Sequence, residues 1–149
     1  MNQNSTDAHL NWGKYDVTWL LSEYLKELDS HKPTEGFTKA AGQTKALFLS
    51  VQTAVPQKIG GANLQFFHDY VLIDVMWVSP THRGQGFGRV LLREIERHAK
   101  ELGLRRVLLS AFEHQNSVEF WKKMGCEEVG RIRDYPAGQQ LVYLHKRLL

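Results

Sequence analysis

From Asp16 onward, Val17, Leu20, Leu21, Tyr24 and Leu28 recur at the spacing that places side chains on one face of a helix, and Asp16 stands where it can cap the first turn. The pattern stops near Asp29. Pro33, Gly36 and Gly42 then interrupt a stretch poor in apolar residues, Ser30 to Thr44, which reads as a long loop of the kind small domains often keep for function. Three strand-like runs follow, Lys45 to Thr53, Lys58 to His68 and Tyr70 to Val78, divided by Val55-Pro56 and His68-Asp69. They predict an antiparallel meander. Gly60-Gly61 inside the second run marks a bulge or a close approach of another backbone. The third run, YVLIDVMWV, is apolar at both parities, so it is expected in the sheet centre with both faces covered. Asp74 is its only charge.

Beyond Ser79-Pro80, Leu91, Leu92, Ile95, Ala99 and Leu102 form a second helical stripe closed by Gly103, and Arg105 to Phe112 reads as another buried strand. A strand, a crossover helix and a strand make a βαβ unit, so the two flanking strands are predicted to be parallel and joined right-handedly. A short helix over Ser117 to Met124 is stopped by Gly125. The last strands, Glu127 to Arg133 and Gln139 to Lys146, are joined by Tyr135-Pro136-Ala137-Gly138, which has good hairpin chemistry.

The 149 residues, 42% hydrophobic and 11% aromatic, are enough for one core and predict a single domain over residues 1–149. The lone Cys126 excludes an intramolecular disulfide and any Cys-based zinc or iron–sulfur site. The seven histidines show no ligand spacing, so no metal is expected. The apolar runs Val71–Ile73 and Val75–Val78 fall far short of the roughly 20 residues of a membrane span, and MNQNSTDAHL does not read as a signal peptide. The expected setting is the reducing cytoplasm, away from membranes. Charge is uneven: residues 1–80 carry 6 Lys and Arg against 8 Asp and Glu, while residues 81–149 carry 13 against 8. The basic half is expected to face an anion, and polyphosphate or nucleic acid both qualify on charge alone.

Arg83-Gly84-Gln85-Gly86-Phe87-Gly88-Arg89 lies between a strand and a helix. Its glycines let backbone N–H groups converge at a helix N-terminus, which makes a phosphate cradle, and Arg83, Arg89 and Arg93 surround it. A P-loop would need Lys followed by Ser or Thr after the last glycine, where Arg89-Val90 stands. A Rossmann site would need the turn after the first strand of a parallel sheet, whereas here it follows three antiparallel runs.

With Arg83, Gly86 and Gly88 in place, the segment resembles the acetyl-CoA motif R/Q-x-x-G-x-G/A of the GNAT acetyltransferase superfamily. Phe120-Trp121-Lys122-Lys123-Met124-Gly125-Cys126 is similar to that family's F-Y-x-K-x-G-F, and the ending from Gly130 through Tyr135-Pro136 to Leu148 looks like a branch of small bacterial GNAT proteins. The resemblance is firm from Lys45 to Leu149 and loose over the first 44 residues. It implies the GNAT fold, an α+β or α/β architecture with a mixed central sheet whose fourth and fifth strands splay apart, flanked by helices. It makes residues 45–149 the acetyl-CoA-binding core and residues 1–44 a helix and loop on the acceptor side. Acetyl-CoA would be the cosubstrate, its pyrophosphate on the amides of Arg83, Gly84, Gln85, Gly86, Phe87, Gly88 and Arg89, and its pantetheine arm along the backbone of Met76 and Val78. His114 and Asn116 stand near the position of an Asn that often holds that arm.

Acyl transfer to an amine needs neutral nitrogen, and a lysine-type amine with a pKa of about 10.4 is mostly protonated at pH 7. Something must take the proton. In the family it is often a carboxylate on the fourth strand, and Asp74 lies four residues before Val78. A carboxylate in a mostly apolar strand is desolvated and thereby becomes a better base. The family's usual acid is a Tyr where this chain has Trp121, whose indole N–H cannot protonate a thiolate. Trp121 is instead expected to wall the acyl pocket, with Tyr135 as the substitute acid and His114 behind it. Cys126 is expected to be a buried small hydrophobe, since GNAT chemistry uses direct attack. The reading is thus an N-acetyltransferase of a small-molecule or protein amine, with a homodimer as a further expectation. The alternative is a GNAT-like protein that binds acyl-CoA or a partner with little turnover. Nucleic-acid binding lacks any helix-turn-helix or aromatic platform and is not expected.

Overall fold

The computed structural model describes Trp19 and residues 42–51, 54–55, 57–113 and 117–148. Apart from Trp19, the expected helix from Asp16 lies outside the described residues, as does nearly all of the loop that follows. The site is carried by a compact unit of residues 36–149. Its elements are β1 (Thr44–Val51), β2 (Gln57–Phe66), β3 (Tyr70–Val78), a 3-10 turn (Pro80–His82), α1 (Phe87–Glu101), β4 (Arg106–Phe112), α2 (Ser117–Lys123), β5 (Glu127–Arg133) and β6 (Gln140–Arg147). Among the described residues six strands form one sheet in the order β1-β2-β3-β4-β6-β5. The pair β3–β4 is parallel and every other neighbouring pair is antiparallel. The meander, the βαβ unit and the final hairpin are therefore as the sequence predicts.

One face of the sheet carries the core. Ala62, Leu64 and Phe66 from β2, Val71 and Ile73 from β3, Val107 and Leu109 from β4, and Val142 and Leu144 from β6 meet the stripe Leu92, Ile95 and Ala99 of α1. Val118 and Trp121 of α2 close the same cluster. Each fully buried aliphatic side chain contributes about 1.5–3 kcal/mol, so this face, rather than helix propensity, holds α1 and α2 in place. Gly103 (φ +76°) and Gly125 (φ +90°) end the two helices in the left-handed conformation that glycine adopts without strain.

Two irregularities shape the meander. Leu49 pairs with Gly60 and Ser50 with Lys58, which leaves Ile59 as an extra residue on β2. Beside it, a Cβ on Gly60 would lie 2.8 Å from the Trp77 carbonyl oxygen, and one on Gly61 would lie 2.6 Å from that of Leu47. The glycine pair thus serves close strand approach next to a bulge.

The second irregularity corrects an expectation. Asn63 pairs with Val75 and Leu64 with Ile73, so Asp74 has no partner on β2 and is the extra residue of a β-bulge in β3. The bulge resets the alternation. Before it, Val71 and Ile73 face the core; after it, Met76 packs against the core while Val75 and Trp77 are 56% and 51% exposed. The run is apolar at both parities because its inward phase changes at Asp74, not because both faces are covered.

Candidate active site

The parallel pairing of β3 with β4 covers only Tyr70–Ile73 against Arg106–Leu109. β3 continues for Asp74–Val78 and β4 for Ser110–Phe112, and β4 keeps its other neighbour, β6, along its whole length. The two strands therefore part immediately before the Asp74 bulge, since an unpaired residue and the added twist of a bulge end the ladder there. Backbone groups of β3 beyond that point have no partner on β4. These are the third and fourth strands among the described residues, and the cleft between them is the splay that the resemblance gives to the family's fourth and fifth.

The glycine-rich turn stands at the end of β3, at the mouth of this cleft. The Ser79 N–H donates to the Ile59 carbonyl at 2.7 Å and that of His82 to the Ser79 carbonyl at 2.8 Å, which ties the turn to β2. Gly86 is the N-cap of α1 with φ +88°, no side chain caps the helix, and the first turn holds no acidic residue. The amides of Phe87, Gly88 and Arg89 are the unsatisfied donors of that first turn, and they carry the positive end of the helix dipole. Gly84 and Gly86 both have left-handed φ, and a Cβ built on either meets nothing within 4 Å. The space above the amides is open, so this turn fits a phosphate group.

Three positions in this region make contacts that the sequence does not reveal. The Arg83 Nε donates to the Val78 carbonyl at 2.8 Å, so its side chain braces the turn against the strand end instead of reaching outward beside Arg89 and Arg93. The Gln85 side chain turns back to the Thr81 carbonyl at 3.4 Å. Gly88 also leaves room for a neighbour: a Cβ there would lie 3.0 Å from Phe120 Cζ. Gly88→Ala is therefore expected to lower stability by about 1–3 kcal/mol through overpacking of α1 against α2, which a thermal unfolding curve reads.

Asp74 lies on the splay but is exposed, which corrects the expected desolvation. Its Oδ2 accepts a hydrogen bond from Gln65 Nε2 at 2.5 Å. Together with Thr44, Lys45, Ala46, Asn63 and Leu64 it borders a hollow of about 340 Å³. Trp121 is 6% exposed and packs edge-to-face on Phe120 at 5.0 Å, inside the core cluster. Phe120 is half-buried, and the space beside Gly88 at the α1 start is bounded by its ring and, at 3.9 Å from a Cβ built there, by Met76 Cε. Sequence reasoning gave Phe120 no role beyond its place in a motif.

Tyr135 is 56% exposed at the tip of the β5–β6 hairpin, where the Gly138 N–H donates to Asp134 Oδ1 at 2.6 Å. Phe112 pairs with Leu141, which puts that tip at the same end of the sheet as the splay. His114 and Asn116 lie outside the described residues. Arg131 donates to Glu128 through two nitrogens, at 2.6 and 2.9 Å, to Gln140 at 2.6 Å and to Glu113 at 3.4 Å. The Arg131 hydrogen bond holds the Glu128 carboxyl below its usual range.

Cys126 is 4% exposed, and burial pushes its thiol from 9.0 up to about 11. The nearby Lys146 ammonium opposes this and the Glu96 carboxylate adds to it; the two are themselves paired at 2.6 Å. Such a thiol is neither exposed nor ionised at neutral pH, as expected of a packing residue. It is expected to resist iodoacetamide at pH 8 in the folded protein and to react on unfolding. Because the folded pKa is raised, the associated stability is complete below pH 9 and lost as pH rises toward 11.

The profile of the acetyltransferase (GNAT) family matches residues 14–126. The chain belongs to this family. The match begins before the firm resemblance at Lys45 and ends at Cys126, short of the terminal hairpin. The chain is 30% identical to an acetyltransferase from Bacillus cereus whose crystal structure superposes with a TM-score of 0.67, covering 94% of this chain and 97% of that one. An aminoglycoside 6'-N-acetyltransferase complexed with coenzyme A shares the fold at 14% identity and a TM-score of 0.62, covering 88% and 84%. Nourseothricin acetyltransferase does so at 17% identity and a TM-score of 0.57, covering 76% and 91%. No curated protein matches the sequence. Among the described residues of this GNAT chain no group of His, Cys, Asp and Glu is placed to hold a metal, and no helix is long and apolar enough to cross a membrane.

Proposed function

We propose that this GNAT protein moves an acetyl group from acetyl-CoA to a primary amine of a small molecule or a protein by direct attack. The observation that carries the reading is the loss of β3–β4 pairing beyond Ile73 and Leu109, with the uncapped N-terminus of α1 and the open space over Gly84 and Gly86 at its mouth. The pyrophosphate sits on the amides from Gly84 to Arg89, and the pantetheine arm runs beside Met76 and Val78 toward Asp74. The amine nitrogen attacks the thioester carbonyl, the N–H proton passes to the Asp74 carboxylate, and the carbon–sulfur bond breaks. Tyr135, at the same end of the sheet, returns a proton to the thiolate. Backbone amides polarise the carbonyl, and positioning supplies much of the rate. A chain with a single cysteine has no intramolecular disulfide to keep and suits a reducing compartment, and we place the protein in the cytoplasm.

A second reading, an acyl-CoA binder with little turnover, is favoured by one observation: Trp121, where the family carries its acid, offers no ionisable hydroxyl and lies in the core. Mass spectrometry of a mixture of primary amines incubated with protein and acetyl-CoA separates the two. A mass increase of one acetyl group on any amine supports the transferase, whereas bound acetyl-CoA with every amine unmodified supports the binder.

A further inference from the structure

Resting on the assignment of Asp74 as proton acceptor, we propose that Gln65 is a positioning residue that holds the Asp74 carboxylate in its reactive orientation. Asp74 is the unpaired residue of the bulge, so no cross-strand neighbour on β2 fixes its side chain in the way that directly opposed pairs fix one another. It is also exposed, so packing does not fix it either. Among the described residues, what does so is one contact, from Gln65 Nε2 to Asp74 Oδ2 at 2.5 Å. Gln65 is itself held by its pairing with Leu72 on β3 and Thr44 on β1, and it is half-buried. The amide is thus a rigidly mounted donor next to a carboxylate that would otherwise rotate.

The chemistry of the pair suits this role. The amide gives one hydrogen bond to Oδ2 and carries no charge, so it orients the carboxylate without neutralising it as a paired cation would. The other charged residue bordering the hollow is Lys45, and its Nζ lies 3.2 Å from Nε2 of His98 on α1. Among the described residues, Oδ1 accepts no hydrogen bond, which leaves it to take the proton. In the step, the N–H bond of the amine breaks and an O–H bond forms at Oδ1 as the nitrogen–carbon bond forms. The carbon–sulfur pair leaves with the thiolate. A carboxylate misplaced by about 1 Å can cost as much as 10²-fold in rate, so the loss of the tether reads out in kcat.

The test is a double-mutant cycle on the full chain with acetyl-CoA and an acceptor amine. Gln65→Leu is expected to lower kcat about tenfold and to leave the KM for acetyl-CoA within twofold. Added to Asp74→Asn, it is expected to cost less than twofold more, because a residue that acts through the carboxylate has nothing left to act on. Gln65→Asn, one methylene too short to reach, should behave as Gln65→Leu does and serves if the leucine variant fails to fold. Parental kcat in both Gln65 variants overturns the proposal, and so does a full tenfold loss repeated in the Asp74→Asn background, which marks a structural role. Full activity of Asp74→Asn itself overturns the base assignment first and this proposal with it.

Discussion

Asp74→Asn is expected to lower kcat/KM about 10²- to 10⁴-fold near pH 7, the range that removal of a general base produces. Asparagine keeps the size of the side chain and can accept the Gln65 hydrogen bond, so the bulge and the hollow are retained while the proton acceptor is lost. The loss should narrow as pH rises. An amine with a pKa of about 10.4 gains roughly tenfold in neutral form for each pH unit below that value, and a neutral amine has one less proton to give up before attack. A loss of the same size at every pH would assign Asp74 a structural role. Asp74 is exposed, so the test bears on its place at the parting of β3 and β4 and not on burial.

Gly86→Val is expected to weaken acetyl-CoA binding at least 100-fold in a protein that still folds. Beyond its chain neighbours, nothing lies within 4 Å of a Cβ at this position, so the added side chain enters open space at the α1 N-terminus. Strain contributes as well, because Gly86 has φ +88° and a β-branched residue there costs about 1–3 kcal/mol. Gly86→Asn separates the two effects, since asparagine tolerates the left-handed region and still fills the space. Calorimetric titration with acetyl-CoA should show both variants impaired, with Gly86→Asn close to the parent in thermal stability. Parental affinity in a folded Gly86→Val protein would remove the phosphate from this turn.

Most of the elements could be read from the sequence because their signals are local. The Leu91 to Ala99 stripe, the glycines that end α1 and α2, and the hairpin turn each state their structure within a few residues. The bulge in β3 is different. One extra residue leaves no mark on composition, and its effect, an apolar pattern that changes phase at Asp74, looks the same in sequence as a strand buried on both faces. The site divides along the same line. The turn and the carboxylate were legible as types, but the direction of Arg83 is set by the Val78 carbonyl, the need for glycine at 88 by Phe120, and the tether on Asp74 by Gln65. The first is a loop closure and the other two are contacts between separate elements, and no spacing rule encodes any of them. The firm resemblance likewise stopped at Lys45, whereas the family match extends back to residue 14.

The central claim is direct transfer from acetyl-CoA to an amine at the β3–β4 cleft, and the release of free thiol from acetyl-CoA tests it most directly. Rapid mixing of protein at micromolar concentration with acetyl-CoA should release no thiol without an acceptor. Addition of an amine that gains the acetyl group should then release thiol continuously, one per amine modified, with the protein's own mass unchanged. A burst of thiol equal to the protein concentration before any amine is added, with the chain heavier by one acetyl group, would contradict direct attack and require a covalent acyl-enzyme in its place.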